Sequence, residues 1–398
     1  AHTQREYPSM PSSVMLPIPV GRPVLVGGPP VMNMAAAAAG LFKAFQGSKW
    51  AYALADKLHL KPGFLRCTVL RAEPVDVTTG EVVVQQRDFT VSGRLPLEWE
   101  RHYASHDTYP GAVGVGWQTP ADIRLELMSH GEGIGAAAYF PDHATAFDAL
   151  PVAEGWSERV YDWQHGHALY RCGDRLTLRT RGGIEYRFDL PPRWQQIVPM
   201  LEGGARLTLP VERIADLNGN AWVFERDERG HVVRVAEWTC DGATARTIEC
   251  DRRDSGYDRL SGVKHAAGIT GLTLIDADGG AHLLVTYEHD RDGNLSAAVD
   301  AMAHPHRFDY ADNHRMVSHT SARGVSFYYR YCAGEDGVWR VDRAWGDDGL
   351  FDYRFTYDRV RMETRITDSR GHTSVLQLNE RGIPVAETDP LGGGRIFK

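Results

Sequence analysis

Acidic and histidine side chains alternate in one short segment of this sequence, EWERHYASH, which contains Glu98, Glu100, His102 and His106. Carboxylates beside imidazoles are the groups that proteins use for proton transfer and for holding metal ions. In an extended strand Glu98, Glu100 and His102 share one face, because successive side chains alternate between the two faces. An ordinary strand face in contact with water has the same pattern, so we predict no catalytic role for this segment.

Two histidine pairs have a spacing that metal ligands can use, His165 with His167 and His304 with His306. A protein metal site takes three or four ligands, and neither pair has a third ligand at a suitable spacing. We therefore predict no metal site and no cofactor. The sequence also lacks the GxSxG, HExxH and P-loop patterns. Residue types that can take part in catalysis are present, but they do not form a recognisable catalytic motif. We therefore predict that this chain is not an enzyme.

The composition is that of a globular protein, with 398 residues, 24% of them charged and 42% hydrophobic. The 44 basic residues are outnumbered by 52 acidic residues. Such a balance offers no excess of positive charge to neutralise phosphates, so we predict no nucleic-acid partner. Residues 31–45 are the longest apolar candidate for a membrane span, but they are too few and include a lysine.

Five cysteines occur, and none belongs to a CxxC pair, so a zinc ribbon or a dithiol redox site is not expected. We expect buried free thiols, although Cys240 and Cys250 flank a turn-like segment and could face each other across a hairpin. The sequence starts at Ala1 and shows no secretory signal. We expect a processed product or a fragment of a longer protein.

The first part of the chain differs from the rest. Residues 1–30 are rich in proline and glycine but keep interleaved valines and leucines, which favours a packed strap over a free linker. Residues 31–59 contain an alanine run and two stretches with helical spacing. Two short apolar helices cannot fold alone, so we expect residues 1–66 to need a partner surface.

Beyond residue 117 the sequence changes to runs of four to eight residues in which apolar and polar side chains alternate, such as DIRLELMS and GIEYRFDLP. This period of two predicts half-buried antiparallel strands.

A D-x-x-G tetrad separates many of these runs, with several tetrads starting 10 or 11 residues apart. Aspartate can accept hydrogen bonds from the backbone two residues on, and glycine adopts the left-handed conformation cheaply, so the tetrad predicts a tight hairpin turn. Asp300 has no glycine three residues later, which predicts a different turn there. The turn residues predicted are Asp216, Gly219, Asp227, Gly230, Asp290, Gly293, Asp368, Gly371, Asp389 and Gly392.

Aromatic residues recur in the same part of the chain and predict cross-strand packing ladders on an inner face. The ladder residues are Tyr287, Phe308, Tyr310, Phe327, Tyr329, Tyr331, Tyr353, Phe355 and Tyr357.

Residues 74–117, from PVDVTTGEVVVQQRDFTVSGRLPLEWERHYAS to GVGW, resemble the opening module of bacterial Rhs (YD-repeat) proteins. TYEHDRDGNL, RFDYADNHRM and ETDPLGGGR resemble the YD repeat itself. The resemblance implies a mainly β fold, in which antiparallel β-hairpin repeats form a spiral sheet or partial cocoon-like shell with a short N-terminal helical appendage. It divides the chain into an appendage and possible plug (1–66), an opening module of the shell (67–210) and a YD-repeat spiral left incomplete (211–398).

The same resemblance implies the function. Such a chain houses and delivers a C-terminal toxin domain that lies outside these residues, as cargo of type VI secretion. It would be made in the bacterial cytoplasm and exported without a signal peptide. Its partners would be the remaining shell and toxin domain, a secretion spike protein, a chaperone, or a second copy bound through the open sheet edge. The alternatives are a glycan- or surface-binding repeat module, which would turn its aromatic residues outward, and a propeller-like hydrolase.

Overall fold

The computed structural model describes residues 69–397 except 72–73, 131–132, 163–164, 255, 258–263, 266 and 381. The strap and helices predicted for residues 1–66 lie outside the described residues. The described part is built almost entirely from antiparallel strands, which confirms the predicted mainly β architecture. It includes one short α-helix, α1 (Val198–Glu202), and none of its helices is long and apolar enough to cross a membrane.

The strands of the first third are short apart from β3 and β4. In chain order they are β1 (Leu70–Arg71), β2 (Val75–Asp76), β3 (Glu81–Val91), β4 (Leu97–Ala104), β5 (Pro110–Gly111), β6 (Gly114–Val115), β7 (Trp117–Gln118), β8 (Arg124–His130), β9 (Gly133–Tyr139), β10 (Ala144–Phe147), β11 (Val160–Tyr161), β12 (Ala168–Arg171), β13 (Arg175–Arg179), β14 (Glu185–Asp189) and β15 (Arg206–Pro210).

The remaining strands follow one another with short turns between them. They are β16 (Arg213–Ala215), β17 (Ala221–Arg226), β18 (Val232–Trp238), β19 (Thr244–Arg253), β20 (Gly256–Tyr257), β21 (Lys264–His265), β22 (Gly268–Ile275), β23 (Ala281–His289), β24 (Leu295–Asp300), β25 (Pro305–Ala311), β26 (Arg315–Thr320), β27 (Ser326–Ala333), β28 (Trp339–Gly346), β29 (Tyr353–Asp358), β30 (Glu363–Thr367), β31 (Thr373–Leu378), β32 (Pro384–Thr388) and β33 (Gly394–Ile396). Short 3-10 turns lie at Pro120–Asp122, Trp156–Glu158, Trp194–Gln196, Asp312–His314 and Asp347–Gly349.

Twenty of these strands form one antiparallel sheet, which we call the large sheet. It runs from β11 to β33, and each strand pairs with the next one along the chain except where β15 and the β20–β21 pair are left out. β15 joins a four-stranded sheet of order β10-β9-β8-β15, while β1, β2, β3, β4 and β7 form a five-stranded sheet. Almost every contact within the large sheet is therefore local in sequence, as in repeat proteins.

The hydrophobic core lies between one face of the large sheet and the five-stranded sheet. Trp99 and Trp117 from the five-stranded sheet and Trp222 and Phe308 from the large sheet are all buried there. Aromatic side chains of this size contribute much of the apolar area that a sheet protein removes from water. The first sheet thus covers the apolar face that the repeats would otherwise expose.

Candidate functional site

β3 and β4 form a long hairpin that lies across the large sheet, and we call it the bracing hairpin. Its strands pair antiparallel with a bulge between Arg87 and Phe89. β4 buries every second side chain from Leu97 to Tyr103, and Arg101 is the charged member of that buried series. This alternation places one face of the hairpin against the large sheet.

Hydrogen bonds tie the bracing hairpin and its flanking residues to widely separated strands of the large sheet. Tyr103 donates its hydroxyl to His314 O at 2.7 Å and accepts the Met316 N–H at 2.9 Å. Taken together, the contacts of the hairpin and its flanking residues reach from β17 to β32, a span of fourteen of the twenty strands in the large sheet. The other bonds run from Trp222 Nε1 to Leu95 O (2.8 Å), Trp99 Nε1 to the Tyr287 hydroxyl (3.1 Å), Trp117 Nε1 to the Tyr310 hydroxyl (2.8 Å), Val341 N to Gly80 O (2.9 Å) and Arg71 Nη2 to Glu387 Oε1 (2.9 Å).

A buried ion pair lies at the middle of this interface. The Arg101 guanidinium donates Nε–H and Nη2–H to the two carboxylate oxygens of Asp88, at 2.6 and 2.8 Å. The Tyr287 hydroxyl donates to the same carboxylate at 2.5 Å. The guanidinium also lies over the rings of Trp117, Tyr287 and Phe308, 4.8 to 5.8 Å from their centroids. These aromatic faces stabilise the cation in a region that excludes water.

The electrostatics of the pair follow from its burial and its geometry. Burial opposes the charge of Arg101, but the Asp88 carboxylate outweighs it and holds the pKa of Arg101 above its ordinary value. Burial also raises the pKa of Tyr287 well above its ordinary value, so its hydroxyl stays a donor. The ion pair uses Nε and Nη2 of Arg101, while its Nη1 is buried without a hydrogen-bond partner among the described residues. A buried charge pair is costly to break on one side only. We interpret it as a structural lock between the hairpin and the sheet.

The predicted turn residues occupy one recurring hairpin turn in the structure. At Asp216 the carboxylate accepts the backbone N–H groups of Asn218 and Asn220, both at 2.9 Å, and Gly219 has φ of 96°. The turns at the other four predicted aspartates have the same two hydrogen bonds, and their glycines have φ between 82° and 85°. The bond to the residue four positions on was not part of the sequence argument.

One turn departs from our expectation. We predicted that Asp300 would form a different turn, because position 303 is alanine. Asp300 nevertheless accepts the N–H groups of Met302 and His304 at 2.9 Å, and Ala303 takes the left-handed conformation with φ of 64°. The prediction was wrong because the aspartate cap and the strand register enforce the turn even where the residue type resists it.

A cluster of histidines and aspartates lies where the first hairpin of the large sheet meets the β9–β10 hairpin, and we call it the histidine cluster. Its members are Asp142, His143, Asp162, His165 and His167. The ligand atoms of Asp162, His165 and His167 all lie within 4.8 Å of one another. Asp162 Oδ2 lies 3.2 Å from His165 Nδ1, and His143 Nε2 lies 3.4 Å from His167 Nε2. His143 Nδ1 lies 2.8 Å from Asp142 Oδ1.

The charges in the histidine cluster are set by burial and by these contacts. Burial lowers the pKa of His167 to about 4, so its imidazole is neutral at pH 7. Burial works against the charge of Asp142, but the hydrogen bond from His143 outweighs it and lowers the pKa of Asp142 to about 2. Neutral imidazoles beside ionised carboxylates can hold a cation. In the sequence His165 and His167 were visible only as a pair without a third ligand, and no metal site was predicted there. Asp162 could have been found three positions before His165, whereas Asp142 and His143 lie in a different hairpin.

The remaining sequence candidates have structural contacts. Glu98 pairs with Arg87 on the exposed face, and Glu100 lies 3.5 Å from His102. Burial lowers the pKa of His102, while the nearby charges of Asp142 and Glu100 favour its protonation.

The other three histidine candidates, His106, His304 and His306, belong to backbone contacts, turns and strand pairs. His106 Nε2 contacts Trp339 O at 2.6 Å. His304 Nδ1 lies 3.3 Å from Asp300 within its own turn, and His306 pairs with Ala298 across the strands.

The ladder aromatics face inward. Tyr287, Phe308, Tyr329 and Phe355 are buried, and the other five ladder residues are partly buried. A surface that binds glycans needs several aromatic faces in contact with solvent. The observed packing therefore removes these residues from consideration for the glycan-binding alternative.

The four cysteines that the structure describes do not follow the expectation of buried thiols, and Cys67 lies outside the described residues. Cys172, Cys240 and Cys332 are exposed and free, and Cys250 is free and partly buried. Cys240 lies in the turn between β18 and β19, whereas Cys250 pairs with Leu272 on the other side of β19. They therefore do not face each other, because the hairpin register places Cys250 well away from the turn.

Comparison with known proteins gives one match to a family model and several curated relatives. Residues 72–143 match a domain of unknown function, DUF6531. The chain is 28% identical over 312 residues to double-stranded DNA deaminase toxin A of Burkholderia cenocepacia (strain H111), covering 77% of this chain and 19% of that protein. It is 26% identical over 327 residues to the probable deoxyribonuclease RhsA of Dickeya dadantii (strain 3937), covering 80% and 20%. The chain spans about a fifth of the length of these relatives.

Solved structures give weaker likenesses. The crystal structure of TcdB2-TccC3-Cdc42 aligns with a TM-score of 0.39 at 9% identity, covering 76% of this chain and 19% of that one. The N-terminal domain of the effector protein SpvB from Salmonella typhimurium strain LT2 aligns with a TM-score of 0.28 at 11% identity, covering 66% and 98%. TM-scores this low carry no further inference.

Proposed function

We propose that this chain, which is an Rhs/YD-repeat protein with a structural, toxin-related role, forms the opening part of a shell that encloses a toxin domain. The toxin domain would lie outside these residues, and the chain itself would not be an enzyme. The three domains predicted from the sequence remain part of the proposal, with residues 1–66 as a plug, 67–210 as the opening module and 211–398 as the spiral.

The observation that carries the proposal is the set of contacts that the bracing hairpin and its flanking residues make across fourteen strands of one continuous sheet. Open twisted sheets of more than about ten strands curl or split unless something fixes their shape. The bracing hairpin and its flanking residues, bound from β17 to β32, fix that shape from one side. Each added repeat then extends the wall by pairing with the last strand, which is how a container grows from a one-dimensional array.

The relatives support the presence of a toxin domain beyond the matched region. Two of them carry names that describe action on DNA, and about four fifths of their length lies outside the match. The remaining shell and the toxin domain would be the principal partners of this chain. In the described residues β33 pairs with β32 alone, and its other edge is the place where further repeats or a second copy would pair.

Delivery is a further part of the proposal. We propose that the protein is made in the bacterial cytoplasm, exported without a signal peptide by type VI secretion, and assembled with a spike protein and a chaperone. The glycan-binding alternative gains no support from the inward-facing aromatic ladders.

Limited proteolysis of the full-length gene product tests the enclosure. We expect the region after the shell to resist protease in the wild type and to become sensitive in Asp88→Ala, because that change breaks the buried pair under the bracing hairpin. The matched control is Asp342→Ala, which breaks a two-pronged pair with the exposed Arg330 side chain. Equal digestion of the wild type and Asp88→Ala would contradict enclosure by the braced sheet.

A further inference from the structure

We propose that Asp162, His165 and His167 bind a divalent transition-metal ion, with Zn²⁺ as the best match to their chemistry. Two imidazoles and one carboxylate are the protein ligands of a known class of zinc site, in which a water molecule can complete the coordination. The three ligand atoms lie within 4.8 Å of one another without an ion present. All three residues belong to one hairpin, and a bound ion would draw their side chains closer together.

The protonation pattern of the cluster leaves one lone pair for the ion. The Asp142 carboxylate can only accept, so in the neutral imidazole of His143 the proton lies on Nδ1 and Nε2 presents a lone pair. His143 Nε2 then accepts from His167 Nε2–H across 3.4 Å. The remaining nitrogen of His167, Nδ1, carries a lone pair. It is buried and has no hydrogen-bond partner among the described residues.

Protein interiors rarely contain a buried acceptor atom that receives no hydrogen bond. A metal ion bound to His167 Nδ1 would give this nitrogen a partner. Asp142 and His143 would then orient His167 without touching the ion, as outer partners commonly do for metal-bound histidines. We therefore assign Asp162, His165 and His167 as ligands and His143 with Asp142 as positioning residues.

The position of the site gives it a structural role. Asp162 follows the edge strand β11, and His165 and His167 precede β12, so the ion would close the loop of the first hairpin in the large sheet. His143 comes from the loop between β9 and β10 in the four-stranded sheet. The series of contacts from Asp142 through His143 and His167 to the ion would connect the first edge of the large sheet to the four-stranded sheet.

One nearby charge opposes a bound cation. The positively charged Arg181 side chain lies against Gly166, between the proposed ligands His165 and His167. The carboxylates of Asp142 and Asp162 supply two negative charges against it. Replacing Arg181 with glutamine should therefore strengthen binding of a cation.

Titration of the 398-residue chain with Zn²⁺ after dialysis against a chelator tests the proposal. We expect one Zn²⁺ per chain by elemental analysis and a rise in melting temperature on addition of Zn²⁺. His165→Ala and Asp162→Asn should abolish stoichiometric binding, whereas His143→Ala should weaken it by about 10- to 100-fold. His304→Ala is the matched control, because it alters a histidine pair of the same spacing and should leave binding unchanged.

A wild-type chain that takes up no Zn²⁺ at micromolar concentration would overturn the proposal, as would unchanged binding in His165→Ala. His165 is partly exposed, so this variant should fold even if changes at the buried His167 do not. The measurement uses binding alone, and its failure would leave the proposed shell role untouched.

Discussion

The hairpin turns of the large sheet and the bracing hairpin have different structural roles. Each turn is held by bonds between residues two to four positions apart, such as those from Asn218 and Asn220 to Asp216. The bracing hairpin is held by bonds between residues far apart in sequence, such as Trp99 to Tyr287, which are 188 positions apart. The turns define where each strand ends, whereas the bracing hairpin defines how the strands are arranged together.

The two regions should therefore respond differently to mutation. Loss of one turn affects a single junction and its neighbours, because stability in repeat arrays is a sum of local terms. Loss of the buried pair affects an interface that many strands share.

Asp88→Ala should cause the largest loss of stability. Removing one partner of a buried ion pair costs about 3 to 5 kcal/mol, because it leaves an uncompensated charge, here that of Arg101. Urea denaturation of the chain measures the change. Asp342→Ala, which breaks a pair on the outer surface of the large sheet, should cost less than about 1 kcal/mol. Equal effects at the two positions would remove the distinction between the regions.

The pH dependence of stability should reveal the effect of a partly buried histidine, His319. Burial lowers the pKa of His319 to about 4, and its Nδ1 lies 2.8 Å from the Tyr329 hydroxyl. The unfolded chain binds this proton below about pH 6.5, but the folded chain binds it only near pH 4, so stability falls as pH falls through that window. The loss attributable to His319 should reach up to about 3 kcal/mol.

Urea denaturation between pH 7 and pH 4 checks this prediction in the wild type and in His319→Phe, which keeps a ring beside Phe327 and Tyr329. The variant should lose less stability on acidification than the wild type. His304→Gln alters an exposed histidine, so its free energy of unfolding should change with pH as that of the wild type does. If the free energy of unfolding of His319→Phe changes with pH as that of the wild type does, the acid sensitivity comes from other residues.

The smallest effects should come from single turns, and two of them should have opposite signs. Gly230 has φ of 83° with open space around it, so Gly230→Ala should destabilise by about 1 to 2 kcal/mol through backbone strain alone. Ala303 already bears this strain at φ of 64°, so Ala303→Gly should stabilise by about 0.5 to 1 kcal/mol. Melting curves of the two variants test the pair, and a loss of stability in Ala303→Gly would show that the alanine is not strained.

The sequence allowed prediction of the features that depend on near neighbours. Alternating side chains predicted the strands, and the resemblance to Rhs/YD-repeat proteins supplied the hairpin-repeat architecture. The contacts of Trp99, Trp117 and Tyr103 could not be predicted, since no local pattern specifies a partner about 190 to 210 positions away.

The histidine cluster shows the same limit on a smaller scale. His165 and His167 were visible as a pair, and Asp162 belongs to the same hairpin. His143 belongs to a different sheet, 24 positions from His167, and only the packing of the two hairpins brings it close. The prediction for the turn at Ala303 was wrong for a related reason. The preference of left-handed positions for glycine is a local property, whereas the aspartate cap and the strand register together determine the turn.

The order of synthesis gives the bracing hairpin a further consequence. Trp99 leaves the ribosome 188 residues before its partner Tyr287, a delay of roughly 10 to 40 s at 5 to 20 residues per second. During that interval the apolar face of β4 needs a temporary cover, which a holding chaperone or the early strands can supply. Each later hairpin then emerges after the bracing hairpin has been made, so the bracing hairpin is available as a surface on which the later strands assemble.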